Sequence, residues 1–186
     1  SVDIHAHPGR FFLRGLTRQN ATTRAMGAPF EAKALADMAA GQVTAVLFNC
    51  VSDAVLLEQS PTKGLVAARE FDPGEAWADY QRQIATLKAL VARGDAAPGL
   101  DGRDIARALA AHRTACVFAV EGGDFIEDRL DRIHTAHADG VRSITIVHYH
   151  PNQIGDPQTE SPRFPGLTPV GKQIVREMNK AGGIVD

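Results

Sequence analysis

The sequence predicts an α/β protein whose core is a parallel sheet. Short apolar segments rich in β-branched residues recur along the chain, segments with helical periodicity separate them, and polar residues follow several of their ends. Strands that alternate with helices form parallel βαβ units with right-handed crossovers. Five strands are predicted, over residues 2–7, 43–50, 114–120, 141–148 and 184–186.

Length and composition describe an ordinary globular protein with enough apolar material for a sizeable core. The chain has 186 residues, 44% of them hydrophobic, and we expect a single domain over residues 1–186. A formal net charge of −2 gives no basic surface for nucleic acid. Cys50 and Cys116 each lie in an apolar run without metal-knuckle spacing, which predicts buried free thiols. No apolar run reaches the ~18 residues of a membrane span, and the expected compartment is the cytoplasm.

Helices are predicted between the strands. Glu31–Ala40 ends at Gly41, and the segment 75–93 carries apolar residues at the helical period. The segment 104–112 is expected to turn Ile105, Ala108 and Leu109 inward. A helix over 125–138 would begin at Asp124 as N-cap and end at Gly140, and a last helix would run from Thr168 through Lys180, with Pro169 in its first turn and Gly182 as its stop.

Three long connections remain. The segment 9–30 is predicted as a solvated surface loop, although a loop that follows the first strand would also lie beside any active site. The segment 53–74 contains two prolines and two glycines and is predicted as a connection with a helical turn over 64–70. The segment 149–167, with four prolines, is predicted as a loop.

The first strand carries a pair of histidines. Because side chains alternate between the faces of a strand, His5 and His7 share one face, and Pro8 and Gly9 end the strand directly after them. Imidazole is the commonest protein ligand for zinc-like ions, so this pair predicts a metal site. The alternative is two strand histidines that are packed or solvated by chance.

Two further strands end in candidate site residues. Glu121 follows a wholly apolar strand, where a carboxylate is costly unless a cation or hydrogen-bond donors meet it. Gly122 and Gly123 are expected to leave room for a metal or a substrate. The alternative is a capping or salt-bridged glutamate. His148 ends the next strand, and His150 lies one pleat further on the same face.

These residues favour one architecture within the α/β class. Functional side chains at the carboxyl ends of several parallel strands are typical of a (β/α)8 TIM barrel. A doubly wound Rossmann sheet is the competing architecture, but the first strand is not followed by the G-x-G-x-x-G motif that binds a dinucleotide phosphate. His112, His134 and His137 lie on predicted helices in charged company and are expected at the surface.

With these residues assembled, the sequence resembles the membrane (renal) dipeptidase family, peptidase family M19. The resemblance is carried by four segments, of which the last is the most specific: VDIHAHP at 2–8, VEGG at 120–123, GVRSITIVH at 140–148 and GLTPVGKQIVREMNKAGGIVD at 166–186. It implies a metallo-dependent hydrolase barrel in which two zinc ions, bridged by a glutamate and a hydroxide, hydrolyse dipeptides. This chain would supply about the first five strands, truncated at both ends.

The resemblance also assigns roles to individual residues. His5 and Glu121 match metal ligands, with Glu121 as the bridge, while His7 stands where many members have aspartate. His148 matches a histidine associated with substrate, and His150 is a weaker candidate for the same role. Glu121 and His148 are therefore the expected catalytic residues, with His148 donating to the developing oxyanion. The ligands of the second ion are expected beyond Asp186.

The expected function is metal-dependent hydrolysis of a dipeptide, with a homodimer as the expected assembly. One alternative is another amidohydrolase-type barrel acting on amides or cyclic amides, which would favour a lysine bridge, and no lysine lies near Glu121 or His148 in the sequence. The other alternative is a non-catalytic binding protein on the same barrel. The sequence leaves open which dipeptide and which metal are preferred.

Overall fold

The computed structural model describes residues 1–186 and contains eight strands and six α-helices. The strands in chain order are β1 (Val2–Ala6), β2 (Ala45–Val51), β3 (Leu57–Ser60), β4 (Gly64–Ala67), β5 (Ala97–Pro98), β6 (Ala115–Glu121), β7 (Val141–Thr145) and β8 (Ile184–Val185). The helices are α1 (Ala21–Ala25), α2 (Glu31–Ala40), α3 (Glu75–Ala92), α4 (Gly102–Ala110), α5 (Asp131–Asp139) and α6 (Pro169–Ala181). Two short 3₁₀ segments cover Pro8–Leu13 and Asp124–Ile126.

Five of the strands form a parallel half-barrel sheet in the order β1-β2-β6-β7-β8, and the short β5 pairs with the beginning of β6. β2 and β6 pair in register over seven residues, from Ala45 opposite Ala115 to Val51 opposite Glu121. Both strands are apolar and almost wholly buried, as expected for parallel strands covered on two faces. The predicted fold class, an α/β protein with parallel strands of a partial barrel, is confirmed.

The helices cover the sheet with their apolar faces. In α3, Tyr80, Ile84, Leu87 and Leu90 are all buried, as its periodicity predicts. α6 begins as predicted, because the Thr168 hydroxyl accepts a hydrogen bond from the Gly171 amide at 2.9 Å, and Pro169 occupies the first turn. The inward position predicted for Leu109 in α4 is wrong, because this side chain lies on the exposed face.

Two of the three predicted connections contain structure. Residues 57–67 form an antiparallel hairpin of β3 and β4, so the helical turn predicted over 64–70 is wrong. Gly64 has a φ of +75° at the turn of this hairpin, a conformation that glycine adopts without strain. The surface loop predicted over 9–30 is wrong for Phe11, Phe12 and Leu13, which lie buried in a 3₁₀ segment packed against α2 and α3.

The helix predicted over 125–138 is also shorter than expected. Asp124 begins a 3₁₀ turn, the backbone breaks at Glu127 with a φ of +52°, and α5 begins at Asp131. Asp124 is not an N-cap, since its carboxylate turns into the protein and bonds to His150. The strand predicted over 141–148 ends at Thr145, so His148 follows the strand rather than closing it.

Both cysteines, Cys50 and Cys116, are free and buried in the core, as predicted. None of the helices combines the length and apolar character required to cross a bilayer.

Candidate metal centre

Four of the predicted site residues meet at the carboxyl end of the sheet. His5 lies on β1, His7 follows it, Glu121 is the last residue of β6, and His148 follows β7. The Nε2 atom of His5 lies 3.1 Å from Glu121 Oε1, and the Nε2 atom of His7 lies 3.3 Å from Glu121 Oε2. The Nε2 atom of His148 lies 3.3 Å from Glu121 Oε1. The carboxylate therefore lies between three imidazoles.

His7 is oriented by groups outside this cluster. Its Nδ1 lies 2.7 Å from the carbonyl oxygen of Asn49 on β2, and its ring packs edge-on against Phe12 at 5.5 Å. A carbonyl oxygen only accepts hydrogen bonds, so Nδ1 is the donor, and a neutral His7 presents the lone pair of Nε2 to the site. A backbone carbonyl on the second imidazole nitrogen is a common arrangement for histidine metal ligands.

Glu121 remains a carboxylate in this environment. Burial alone would raise its pKa, but the hydrogen bond to His7 and the neighbouring histidine charges lower the pKa below that of an ordinary glutamate. The side chain is only 14% exposed, so its charge is stabilised by these neighbours rather than by bulk water.

His148 connects the cluster to a buried aspartate that the sequence analysis did not select. Its Nδ1 lies 2.8 Å from Oδ1 of Asp53, which is fully buried beyond the end of β2. Oδ2 of Asp53 accepts the backbone amides of Tyr149 at 2.9 Å and His150 at 3.0 Å. Burial would lower the pKa of His148, but the hydrogen bond and charge of Asp53, together with the charge of Glu121, raise it. His148 therefore favours the doubly protonated form more than a free histidine does.

His150 does not join the cluster. Its ring is buried against the edge of Phe71, with Nδ1 at 2.7 Å from Asp124 Oδ1 and Nε2 at 2.9 Å from Glu70 Oε2. Both nitrogens thus already have carboxylate partners. A role for His150 in substrate binding stays a prediction.

The expectation that Gly122 and Gly123 leave room for a metal or a substrate is wrong. A Cβ atom at Gly122 would lie 2.9 Å from Cβ of Ser52, and one at Gly123 would lie 2.4 Å from Cδ1 of Ile154. Protein atoms therefore fill the space beside both glycines, which lack side chains because the neighbouring segments pack directly against them.

The donor set fits a divalent transition metal. His5, His7 and Glu121 each offer a ligand atom, and these atoms lie within 4.8 Å of one another. Two imidazoles and a carboxylate form a set that zinc uses in catalytic sites, where a further coordination position stays open for water or substrate. The fit depends on residues that come from two strands of the sheet, β1 and β6.

Open space adjoins this cluster on two sides. A cleft of about 920 Å³ runs from Glu121 and His148 to the loop 155–167. A smaller pocket of about 240 Å³ is bordered by His7, Glu121 and His148 and lined mainly by apolar side chains. The cleft falls within the 300–1,000 Å³ typical of small-molecule sites, so a ligand the size of a dipeptide could reach the cluster.

Comparisons with known proteins identify the fold and the family. Dipeptidase tcpJ of Claviceps purpurea (strain 20.1) is 34% identical over 84 residues, which are 45% of this chain and 20% of that protein. The crystal structure of dipeptidase AC, a metallo peptidase of family M19, has a TM-score of 0.73 at 21% identity over 100% of this chain and 55% of that one. A metallo peptidase from Rhodobacter sphaeroides is liganded with a phosphinate mimic of the dipeptide L-Ala-D-Ala. It has a TM-score of 0.70 at 20% identity over 99% of this chain and 57% of that one.

The chain therefore spans about half the length of these solved structures, and its match covers a fifth of the curated relative. Residues 10–186 match the sequence model of the family described as membrane dipeptidase (peptidase family M19). The match begins after His5 and His7, so the family assignment does not depend on the two histidines. On these matches, the chain belongs to the membrane dipeptidase family, peptidase family M19.

Proposed function

We propose that this chain supplies the first metal site of a metal-dependent dipeptidase. The observation that carries the proposal is the convergence of His5, His7 and Glu121, whose ligand atoms lie within 4.8 Å of one another at the carboxyl end of the sheet. Membership of family M19 supports dependence on a divalent metal ion and hydrolysis of a small peptide.

His5, His7 and Glu121 would hold the ion, and zinc, which uses two histidines and a glutamate in catalytic sites, is the proposed metal. A divalent ion bound there would supply Lewis-acid chemistry, acidifying a coordinated water and polarising the scissile carbonyl group. Glu121 would also be the ligand shared with a second ion, since a carboxylate offers two oxygens; Oε1 lies beside His5 and His148, and Oε2 lies beside His7. The ligands of a second ion would have to come from outside residues 1–186.

His148 would act on the substrate. Its Nε2 lies beside Glu121 and at the edge of the large cleft, where it can meet the carbonyl group of a bound dipeptide. In the protonated ring, Nε2–H donates a hydrogen bond that strengthens as negative charge develops on the carbonyl oxygen. His148 would therefore stabilise the transition state more than the bound substrate.

The test is Glu121→Gln in the full-length protein, with Glu58→Gln on the exposed β3 as the matched control. The amide keeps the shape of the side chain but removes the charge that binds the metal. We expect Glu121→Gln to lose bound metal, measured by elemental analysis, together with hydrolysis of a panel of dipeptides. Circular dichroism should be unchanged, and the control should keep metal and activity. Full metal occupancy in Glu121→Gln would contradict the proposed site.

A further inference from the structure

We propose that Asp53 is the positioning residue of His148: it fixes the orientation of the ring and keeps a proton on Nδ1, so that Nε2 is the nitrogen turned toward Glu121 and the cleft. This inference rests on the proposed function for its catalytic consequence, but its structural content can be tested without activity. It gives a specific role to an aspartate that lies outside the metal-ligand set.

The contacts of Asp53 leave little freedom to the His148 ring. The carboxylate is fully buried and receives three hydrogen bonds, from His148 Nδ1 at 2.8 Å and from the amides of Tyr149 and His150 at 2.9 and 3.0 Å. A carboxylate only accepts hydrogen bonds, so Nδ1 of His148 must donate. The other ring nitrogen, Nε2, then faces Glu121 at 3.3 Å.

The bridge between Asp53 and His148 crosses a strand. Asp53 follows β2 and His148 follows β7, and these two strands are separated in the sheet by β6. The crossing occurs beside Gly122, where a Cβ atom would lie 2.9 Å from Cβ of Ser52 and 3.6 Å from Cβ of His148. The missing side chain of Gly122 thus allows the ends of the two flanking strands to come together above β6.

The two oxygens of the Asp53 carboxylate have different partners, which indicates that Asp53 does more than hold the backbone in place. Oδ2 alone holds the backbone after β7, through the amides of Tyr149 and His150. Oδ1 bonds to the ring of His148, whose opposite nitrogen faces the proposed metal ligand Glu121. Carboxylates that orient metal-binding histidines fix both the ring and its tautomer, and their loss typically reduces activity or metal affinity by about 10–100-fold. We expect a loss of the same order for a histidine that acts on the substrate beside the metal.

The first experiment compares kinetics of Asp53→Asn in the full-length protein with those of a control, Asp104→Asn. Asp104 is also buried, but it bonds to the Leu100 amide, and Leu100 packs against Gly140 at the opposite end of the sheet. We expect Asp53→Asn to lower kcat by about 10–100-fold, with KM and metal content nearly unchanged. In a His148→Ala background, Asp53→Asn should cost no further kcat. An equal loss in that background would overturn the inference.

The second experiment reads the tautomer directly, by ¹⁵N NMR of histidine-labelled, metal-free protein at a pH where the ring is neutral. His148→Ala identifies the resonances of this ring by their disappearance. We expect the proton on Nδ1 in the wild type and a mixture of tautomers in Asp53→Asn. A proton on Nε2 in the wild type would overturn the inference even if Asp53→Asn misfolded. If the wild type did not hydrolyse dipeptides, the proposed function would be contradicted. The NMR measurement would still test the role of Asp53, because it does not depend on activity.

Discussion

The two sides of the candidate metal centre are held in different ways. On one side, β6 is buried over six of its seven residues, and its neighbours β2 and β7 pair with it on both edges. On the other side, β1 pairs only with β2 and with a shift of register, and its Val2 and Ile4 are 59% and 75% exposed. Glu121 and His148 thus sit on the rigid side, and His5 and His7 on the open edge.

This difference indicates where preorganisation comes from. Glu121 ends a buried strand, and His148 is held by Asp53, so the geometry of this half-buried pair is present before any ion binds. His7 is fixed by two contacts from elsewhere in the chain, the Asn49 carbonyl and the Phe12 ring, rather than by its own strand. Changes on the buried side should therefore have large effects on chemistry and stability, and changes in the support of β1 should have small ones.

Among changes that leave the metal in place, the largest effect is expected for His148→Ala. This change removes the donor to the developing oxyanion, and loss of one such donor costs on the order of 10²–10³ in kcat. Metal content should stay at the wild-type level, because His148 is placed on the substrate rather than among the ligands. Steady-state kinetics and elemental analysis of the full-length protein measure the two quantities.

His134→Ala is the control for that change, since His134 is an exposed histidine on α5 whose nearest acidic partner is Glu177. It should leave both kcat and metal content unaltered. A His148→Ala protein that lacked one ion would identify His148 as a metal ligand. The hydrogen bonds of Asp53 would then belong to the metal site itself.

A smaller effect, on stability, is expected for Gly122→Ala. At this residue φ is +100°, and a Cβ atom would lie 2.8 Å from Oδ2 of Asp124 and 2.9 Å from Cβ of Ser52. The matched control is Gly166→Ala, where φ is +128° and nothing lies within 4 Å. Both changes strain the backbone, but only Gly122→Ala also forces a Cβ atom against Ser52 and Asp124. Such overpacking typically adds about 1–3 kcal/mol to the loss in free energy of unfolding.

Denaturant unfolding of the metal-free, full-length variants measures the difference between these two glycines. Equal losses of unfolding free energy at Gly122 and Gly166 would mean that the residues around Gly122 can relax. Their close packing would then not hold the rigid side of the site.

The parallel strands and the shared face of His5 and His7 were predictable because they follow from local pattern. β-branched apolar runs determine β2, β6 and β7, and the i, i+2 spacing on a strand places His5 and His7 on one face. Helix α6 was equally accessible, since Thr168, Pro169 and Gly182 each favour a helix boundary for a local steric or hydrogen-bonding reason. In all these cases the deciding interactions lie within a few residues of one another.

The remaining features depend on contacts between distant segments. Asp53 is separated from His148 by 95 positions, and His150 from Glu70 by 80, so no periodicity reports either pair. A signal for Asp53 did exist, because it follows β2 in the same way that Glu121 ends β6, and polar residues at the ends of parallel strands collect in one site. The hairpin of β3 and β4 was missed because prolines and glycines were interpreted as an irregular connection.

The smallest effect is expected for the ion pair that supports the open edge. Glu31, the first residue of α2, accepts two hydrogen bonds of 2.6 Å from Arg14, which follows the Pro8–Leu13 segment carrying Phe12. Burial would raise the pKa of Glu31, but the hydrogen bonds and charge of Arg14 lower it below the ordinary glutamate value. A group with a depressed pKa stabilises the fold above its unfolded pKa, about 4.3 for glutamate, and loses that contribution as the pH falls through its folded pKa.

We therefore expect Glu31→Gln to lower the free energy of unfolding at pH 7 by about 0.2–1 kcal/mol, because Arg14 is largely exposed. The deficit relative to the wild type should shrink as the pH falls from about 4.3 through the lower pKa of the folded carboxyl group, which then also becomes neutral. Denaturant midpoints of metal-free protein across this range provide the measurement. Arg14→Gln breaks the same ion pair, so its stability deficit should shrink with falling pH in the same way. A deficit of Glu31→Gln that stayed constant with pH would mean that Glu31 supports β1 through its packing alone.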